Sequence, residues 1–239
     1  MKLLRSPLSV TFMILVVVYV VACASASIVR SPKRIWSPME LYVLEHAKSY
    51  GMVSVQEAVP GIWVDQRYRT ERNITGASFY PADLPCLLHQ DTAAKLAKAQ
   101  KLLNGRGYQL KIWDAYRPAE SHMVLWNKFG MTGYVHEPGF EGRWSWHCYG
   151  RAVDATLLDS AGRELQMPTD FDDFSSNAWA AYKGSNTEVR DRLRILQWAM
   201  QKAGFEFLNS EWWHFADPVE GPVGVPMMAR DLGLTVPVR

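Results

Sequence analysis

The sequence predicts an α+β fold in a single domain, a mainly antiparallel sheet with flanking helices. Three observations lead there. Amphipathic helical stretches and short β-rich pieces interleave without the regular strand–helix–strand rhythm of a parallel sheet. Hydrophobic residues make up 48% of the chain and charged residues 21%, the balance of a chain that buries a core. The 239 residues, less an N-terminal leader, suit one sizeable core.

The leader comes first. Residues 12–24 are an apolar run preceded by Lys2 and Arg5, with no acid in residues 1–26. The run is too short to span a bilayer, which takes about 20 residues, and suits the core of a signal peptide. Ala24-Ser25-Ala26 fits a cleavage site, which makes residues 1–26 the signal peptide and 27–239 the folded domain. Val20-Val21-Ala22-Cys23 fits a lipoprotein box equally well, with the signal ending at residue 22 and Cys23 lipidated. An uncleaved anchor is the third option. All three place the domain outside the cytoplasm, as a periplasmic protein or an outer-membrane lipoprotein. Lys2 and Arg5 also account for the whole net charge of +2. The neutral remainder lacks the cationic excess that drives nucleic-acid binding, so no nucleic-acid partner is expected. A membrane contact is expected only through the lipid anchor.

The elements follow in order. Ser37-Pro38 opens a helix that stops before Gly51. Residues 53–68 read as β-rich around Pro60-Gly61, and a loop covers 71–85. Asp91 is placed as the cap of an amphipathic helix ending at Gly105. Residues 108–116 read as a strand with Leu110 and Ile112 on one face. Pro118 opens a helix to Gly130, and the Gly- and Trp-rich stretch 131–146 reads as a loop. A second strand runs over 150–158. Ser185 and Glu188 suggest a capping box for the longest helix, which reaches Ala203. Residues 205–208 and 212–215 are short strands about Asn209-Ser210. Cys86 and Cys148 read as two buried free thiols, with a disulfide as the alternative. Ten tryptophans are enough to fill a core, line a pocket, or both.

Two of the six histidines have unusual company. One stands in Ser145-Trp-His147-Cys-Tyr-Gly150-Arg-Ala-Val-Asp154, the other in Glu211-Trp-Trp-His214. A catalytic zinc needs three N or O ligands, an open position for water, and a carboxylate near that water but off the metal. His147, Asp154 and His214 supply the ligands and Glu211 the base. Both spacings are odd, so on an unbroken strand each pair would point to opposite faces. His147 is therefore expected on the turn before the strand, with Gly150 permitting the bend. Glu211 is expected in the turn after Ser210, with His214 on the strand. A capping Ser145, a buried His147, an ion-paired Asp154 and a Trp-rich core strand at 211–215 fit the same spacing without chemistry.

These segments resemble those of the zinc D-alanyl-D-alanine dipeptidases, within the wider family of zinc D,D-peptidases. Further pieces agree in order. Trp113-Asp-Ala-Tyr-Arg117-Pro is similar to the segment whose arginine stabilises the reacting carbonyl. Asp65-x-x-Tyr68 with Asn73-Ile-Thr-Gly76 resembles the segment whose tyrosine lines the pocket. Met167-Pro with Phe171-Asp172 resembles the segment whose aspartate receives the substrate ammonium. The resemblance covers about residues 60 to 215. It implies one Zn²⁺ per chain and hydrolysis of a small D-amino-acid dipeptide, D-Ala-D-Ala. In it Glu211 and Arg117 are catalytic, His147, Asp154 and His214 bind the metal, and Tyr68, Ser145 and Asp172 contact substrate. An ion pair with Asp114 or a nearby carboxylate is the plain alternative for Arg117, and a cap or loop role that for Asp172. A D,D- or L,D-carboxypeptidase trimming peptidoglycan stems is the competing function. A binding module with a relict site is the non-enzymatic one, disfavoured because binding needs no general base. An exported enzyme cannot reach a cytosolic dipeptide pool, so turnover or salvage of wall fragments is the expected role.

Overall fold

The structure is a computed structural model and describes residues 28–221 and 223–237. The leader and Cys23 lie outside the described residues. Helix α1 (Pro38–Ala47) starts at a reciprocal cap, in which Ser37 Oγ accepts from Glu40 N at 3.1 Å and Glu40 Oε2 accepts from Ser37 N at 2.9 Å. One further 3₁₀ turn brings it to Gly51. Strand β1 (Met52–Ser54) is shorter than the β-rich reading of this region. Ser54 Oγ accepts from Glu57 N at 3.3 Å and turns Val55–Ala58 into a short helix, α2, so a cap overrides the β preference of the valines. β2 (Trp63–Val64) follows.

Strand β3 (Leu87–His89) pairs with β1 and feeds directly into α3 (Gln90–Asn104). His89, rather than Asp91, occupies the capping position, because the strand commits the backbone up to that point. β4 (Tyr108–Asp114), α4 (Ala119–Phe129) and β5 (Ala152–Asp159) come next. In α5 (Thr187–Ala203) the cap is Asn186, whose Oδ1 accepts from Glu188 N at 3.0 Å and Val189 N at 3.2 Å. It sits one residue past the expected Ser185, so no capping box forms. β6 (Glu206–Leu208) and β7 (Glu211–Ala216) make the final hairpin.

The main sheet runs β2-β4-β5-β7-β6 and is antiparallel except for the edge pair β2–β4. Leu110 and Ile112 stand opposite Leu157 and Ala155, so these four share a face, and all are fully buried. Helices α3 and α5 pack against each other, α3 also against β4 and α5 against β5. Trp113, Trp212 and Trp213 continue the core, with edge-to-face contacts of 5.6 Å (Trp113–Trp212) and 5.5 Å (Trp212–Trp213) between ring centres. Cys86 and Cys148 are buried and unpaired. Among the described residues no helix is long and apolar enough to cross a membrane.

Candidate active site

Asp154 lies within β5 directly across from His214 on β7, so both side chains leave the same face of the sheet. His147 arrives from a 3₁₀ turn, Trp146–Tyr149, that ends at Gly150. Gly150 has φ 63°, a left-handed state suited to glycine, and a Cβ there would run into the Met52 side chain. The turn removes the parity problem, since His147 leaves the chain before the pleat begins.

The three side chains bring one atom each to a common point. His147 Nε2 is 3.1 Å from His214 Nδ1 and 3.3 Å from Asp154 Oδ1, and His214 Nδ1 is 3.0 Å from Asp154 Oδ1. Tetrahedral ligands about 2.0–2.1 Å from a zinc ion lie about 3.3 Å apart, so the triangle has the right size. The donor chemistry fits as well. His147 Nδ1 faces the Ala115 carbonyl oxygen at 2.7 Å, which holds the proton on Nδ1 and leaves the Nε2 lone pair free. Burial opposes ionisation of Asp154, yet His147 and His214 hold its carboxyl well below the usual range. The residues present can hold a zinc ion.

Glu211 is the first residue of β7 rather than part of the preceding turn. Phe207 pairs with Phe215 but the next residue, Leu208, pairs with Glu211, so Trp212, Trp213 and His214 have no partner on β6. This bulge replaces the expected turn as the device that brings Glu211 and His214 to one cleft. Glu211 Oε2 lies 4.0 Å from His214 Nδ1, and burial pushes its carboxyl up to about 8.

A second irregularity places Arg117. Ile112 pairs with Ala155, but Asp114 pairs with Asp154, so β4 has one extra residue at Trp113. The slip moves Asp114 from the core face to the face of Asp154. There its Oδ2 accepts from Arg117 Nε at 3.0 Å and Nη2 at 2.8 Å, while Oδ1 accepts from the Tyr80 hydroxyl. Arg117 Nη2 is 3.6 Å from Asp154 Oδ2. The arginine thus makes the Asp114 ion pair and also lines the cleft. Tyr80 was not among the residues singled out in the sequence, and Asp114 entered there only as an ion-pair alternative for Arg117. The Trp113–Pro118 segment contained Asp114 but carried no sign of the bulge.

Asp172 has φ 61°, a left-handed state that costs roughly 1–2 kcal/mol outside glycine and that aspartate tolerates. Its Oδ1 accepts from the Tyr68 hydroxyl at 2.9 Å and Oδ2 from Ile74 N at 3.2 Å. Burial pushes its carboxyl up to about 7. Asn73 holds Ile74 in place. Its Nδ2 donates to Thr70 O at 2.7 Å and Ala77 O at 3.0 Å, and its Oδ1 accepts from Thr75 N at 2.8 Å. Ser145 makes no cap with its hydroxyl. Tyr68, Ser145, Asp172 and Glu211 line, with the His–Asp–His triangle, one cleft of about 270 Å³.

A family model described as D-ala-D-ala dipeptidase, peptidase M15, matches residues 48–231. The chain belongs to this family. As a member it is a zinc metallopeptidase. It is 32% identical to the D-alanyl-D-alanine dipeptidase of Escherichia coli over 167 residues, covering 70% of this chain and 84% of that protein. It is 29% identical to the D-alanyl-D-alanine dipeptidase of Enterococcus faecium over 183 residues, covering 69% of this chain and 90% of that one. A protein of the same name from Streptomyces coelicolor is 29% identical over 187 residues, covering 67% and 88%.

Proposed function

We propose that this chain hydrolyses the amide of free D-Ala-D-Ala with one zinc ion held by His147, Asp154 and His214. The observation that carries the reading is the meeting of that triangle with Glu211 and Asp172 in one cleft. When bound, zinc lowers the pKa of its water towards about 7 and polarises the substrate carbonyl. Glu211 takes the attacking water's proton and returns it to the leaving amine, a task suited to a carboxyl raised towards neutrality. Arg117, held by Asp114, faces the oxygen that gains charge, a contribution of about 3 kcal/mol per donor in other hydrolases. Asp172 receives the substrate ammonium, with Tyr68 fixing its orientation and Ser145 lining the same cleft. A carboxylate at this place favours a free dipeptide over a long peptidoglycan stem, which brings no ammonium to the cleft.

The protein is exported, as a periplasmic enzyme or an outer-membrane lipoprotein, and acts on wall fragments. The test is elemental analysis combined with turnover of D-Ala-D-Ala beside a stem pentapeptide. One zinc per chain and a strong preference for the dipeptide are expected. Equal or faster cleavage of the pentapeptide would replace this reading with the carboxypeptidase one.

A further inference from the structure

A free dipeptide carries two charges, and the groups described so far meet only one of them. Asp172 matches the ammonium, and Arg117 and Glu211 act on the amide. The terminal carboxylate is left without a partner, although a desolvated carboxylate without one is costly. Among the described residues two arginines and no lysine line the cleft, Arg117 and Arg143. Arg117 is committed to Asp114 and lies beside Asp154. Arg143 makes no ion pair among the described residues. Its Nη1 donates to His136 Nε2 at 3.4 Å and to the Trp144 carbonyl at 3.3 Å, and its guanidinium lies 5.1 Å from the Trp146 ring centre. These contacts orient the group without neutralising it. Burial and the adjacent guanidinium hold His136 below its usual range, as a neutral acceptor.

We propose that Arg143 is the receptor for the terminal carboxylate of the substrate. A planar guanidinium presents paired N–H donors that match a carboxylate in a way a single ammonium does not. The loop that carries Arg143 is tied to the segment of Asp172. Tyr134 stacks on Phe174 with ring centres 4.8 Å apart and planes 5° apart, and Phe174 follows Asp172 by two residues. His122 Nε2 bonds the His136 carbonyl at 2.8 Å and pins the same loop to α4. The cleft therefore offers an anion from one segment and an unpaired cation from another, the complement of a short zwitterion. Specificity for a two-residue substrate follows, because only a free dipeptide places both charges next to the scissile bond.

The inference rests on the dipeptidase reading, and the experiment separates the two. Hydrolysis of D-Ala-D-Ala and of its C-terminal amide is compared for wild type, Arg143→Gln and Arg143→Lys, each with zinc content verified. Wild type should prefer the free acid. Arg143→Gln should lose roughly ten- to a hundredfold in kcat/KM on the acid and little on the amide, the scale of a charge-assisted pair. Arg143→Lys keeps the charge but not the fork, so the preference should narrow in the same direction by less. It also carries the test if the glutamine variant folds poorly. Equal losses on both substrates, or a wild type indifferent to the carboxylate, would overturn the role of Arg143 while leaving the dipeptidase reading intact. Failure of wild type to cleave D-Ala-D-Ala would instead remove the reading on which it rests.

Discussion

Replacement of Asp172 by asparagine removes one negative charge and almost nothing else. The amide oxygen can still accept from Ile74 N, and its NH₂ can donate to the Tyr68 hydroxyl, which turns its own proton away. The fold should therefore persist. If the carboxylate meets the substrate ammonium, its loss should cost about 1.5–3 kcal/mol, or roughly ten- to a hundredfold in kcat/KM for free D-Ala-D-Ala. N-acetyl-D-Ala-D-Ala has no ammonium and should be affected little. The pH dependence supplies a second arm. Burial pushes Asp172 up to about 7, so only above that pH is it mostly ionised in the free enzyme. The ratio of kcat/KM for the free and the acetylated dipeptide should rise towards pH 7 in wild type, turn over as the substrate's own amine loses its proton at about pH 8, and show no such rise in the variant. Titration of Glu211 affects both substrates and cancels in the ratio. Stability should follow the same titration. The folded pKa lies above the ordinary 3.8, so the contribution is fully present below about pH 4 and is lost as pH rises through 7. Relative to wild type, Asp172→Asn should thus be more stable at pH 8 than at pH 5 in urea titrations. A pH-independent substrate ratio in wild type, or equal losses on both substrates in the variant, would refute the assignment of Asp172.

Three further outcomes are expected. His214→Ala should lose zinc on dialysis, because two protein ligands hold it far more weakly than three; full occupancy by elemental analysis would show that His214 is not a ligand. Asp114→Asn leaves the buried Arg117 without its closest counter-charge and should destabilise the fold by about 3–5 kcal/mol, as well as lowering kcat; unchanged denaturation would show that Asp154 alone holds the arginine. Mass spectrometry of the native protein should find a start at Cys23 with added acyl mass, or at Ser27; an intact Met1 on a cytosolic protein would exclude both forms of export.

The odd spacing of His147 and Asp154 called for a bend and Gly150 stands where the structure makes it, but the reading of these residues with His214 as metal ligands came from the resemblance to the zinc D,D-peptidases rather than from spacing. The pairing partners of a strand are a different matter. Read alone, the strand at 108–116 places Asp114 on the face of Leu110 and Ile112. Only the register against β5 reveals the slip that turns it towards Asp154. The same holds for Glu211, whose odd spacing from His214 pointed to an irregularity but not to a strand that runs three residues without a partner on β6. At helix starts the local chemistry was ambiguous. Ser185 and Asn186 are both good caps, and the choice between neighbours depends on where the incoming loop meets the helix. Ser54, by contrast, turned a β-rich string into a helical turn because its cap bond to Glu57 N outweighs the β preference of the valines. Arg143 sits in a stretch with no periodicity, so its place in the cleft could come only from the folded loop.

Turnover of D-Ala-D-Ala by zinc-replete Glu211→Gln tests the central claim most directly. Glutamine keeps the size of the side chain but cannot take the water's proton, and Glu211 is not part of the ligand triangle. The variant should bind zinc as wild type does, fold, and lose most of its activity. Wild-type turnover in this variant, or loss of the metal along with the activity, would contradict the account, since the first removes the base and the second makes Glu211 a ligand.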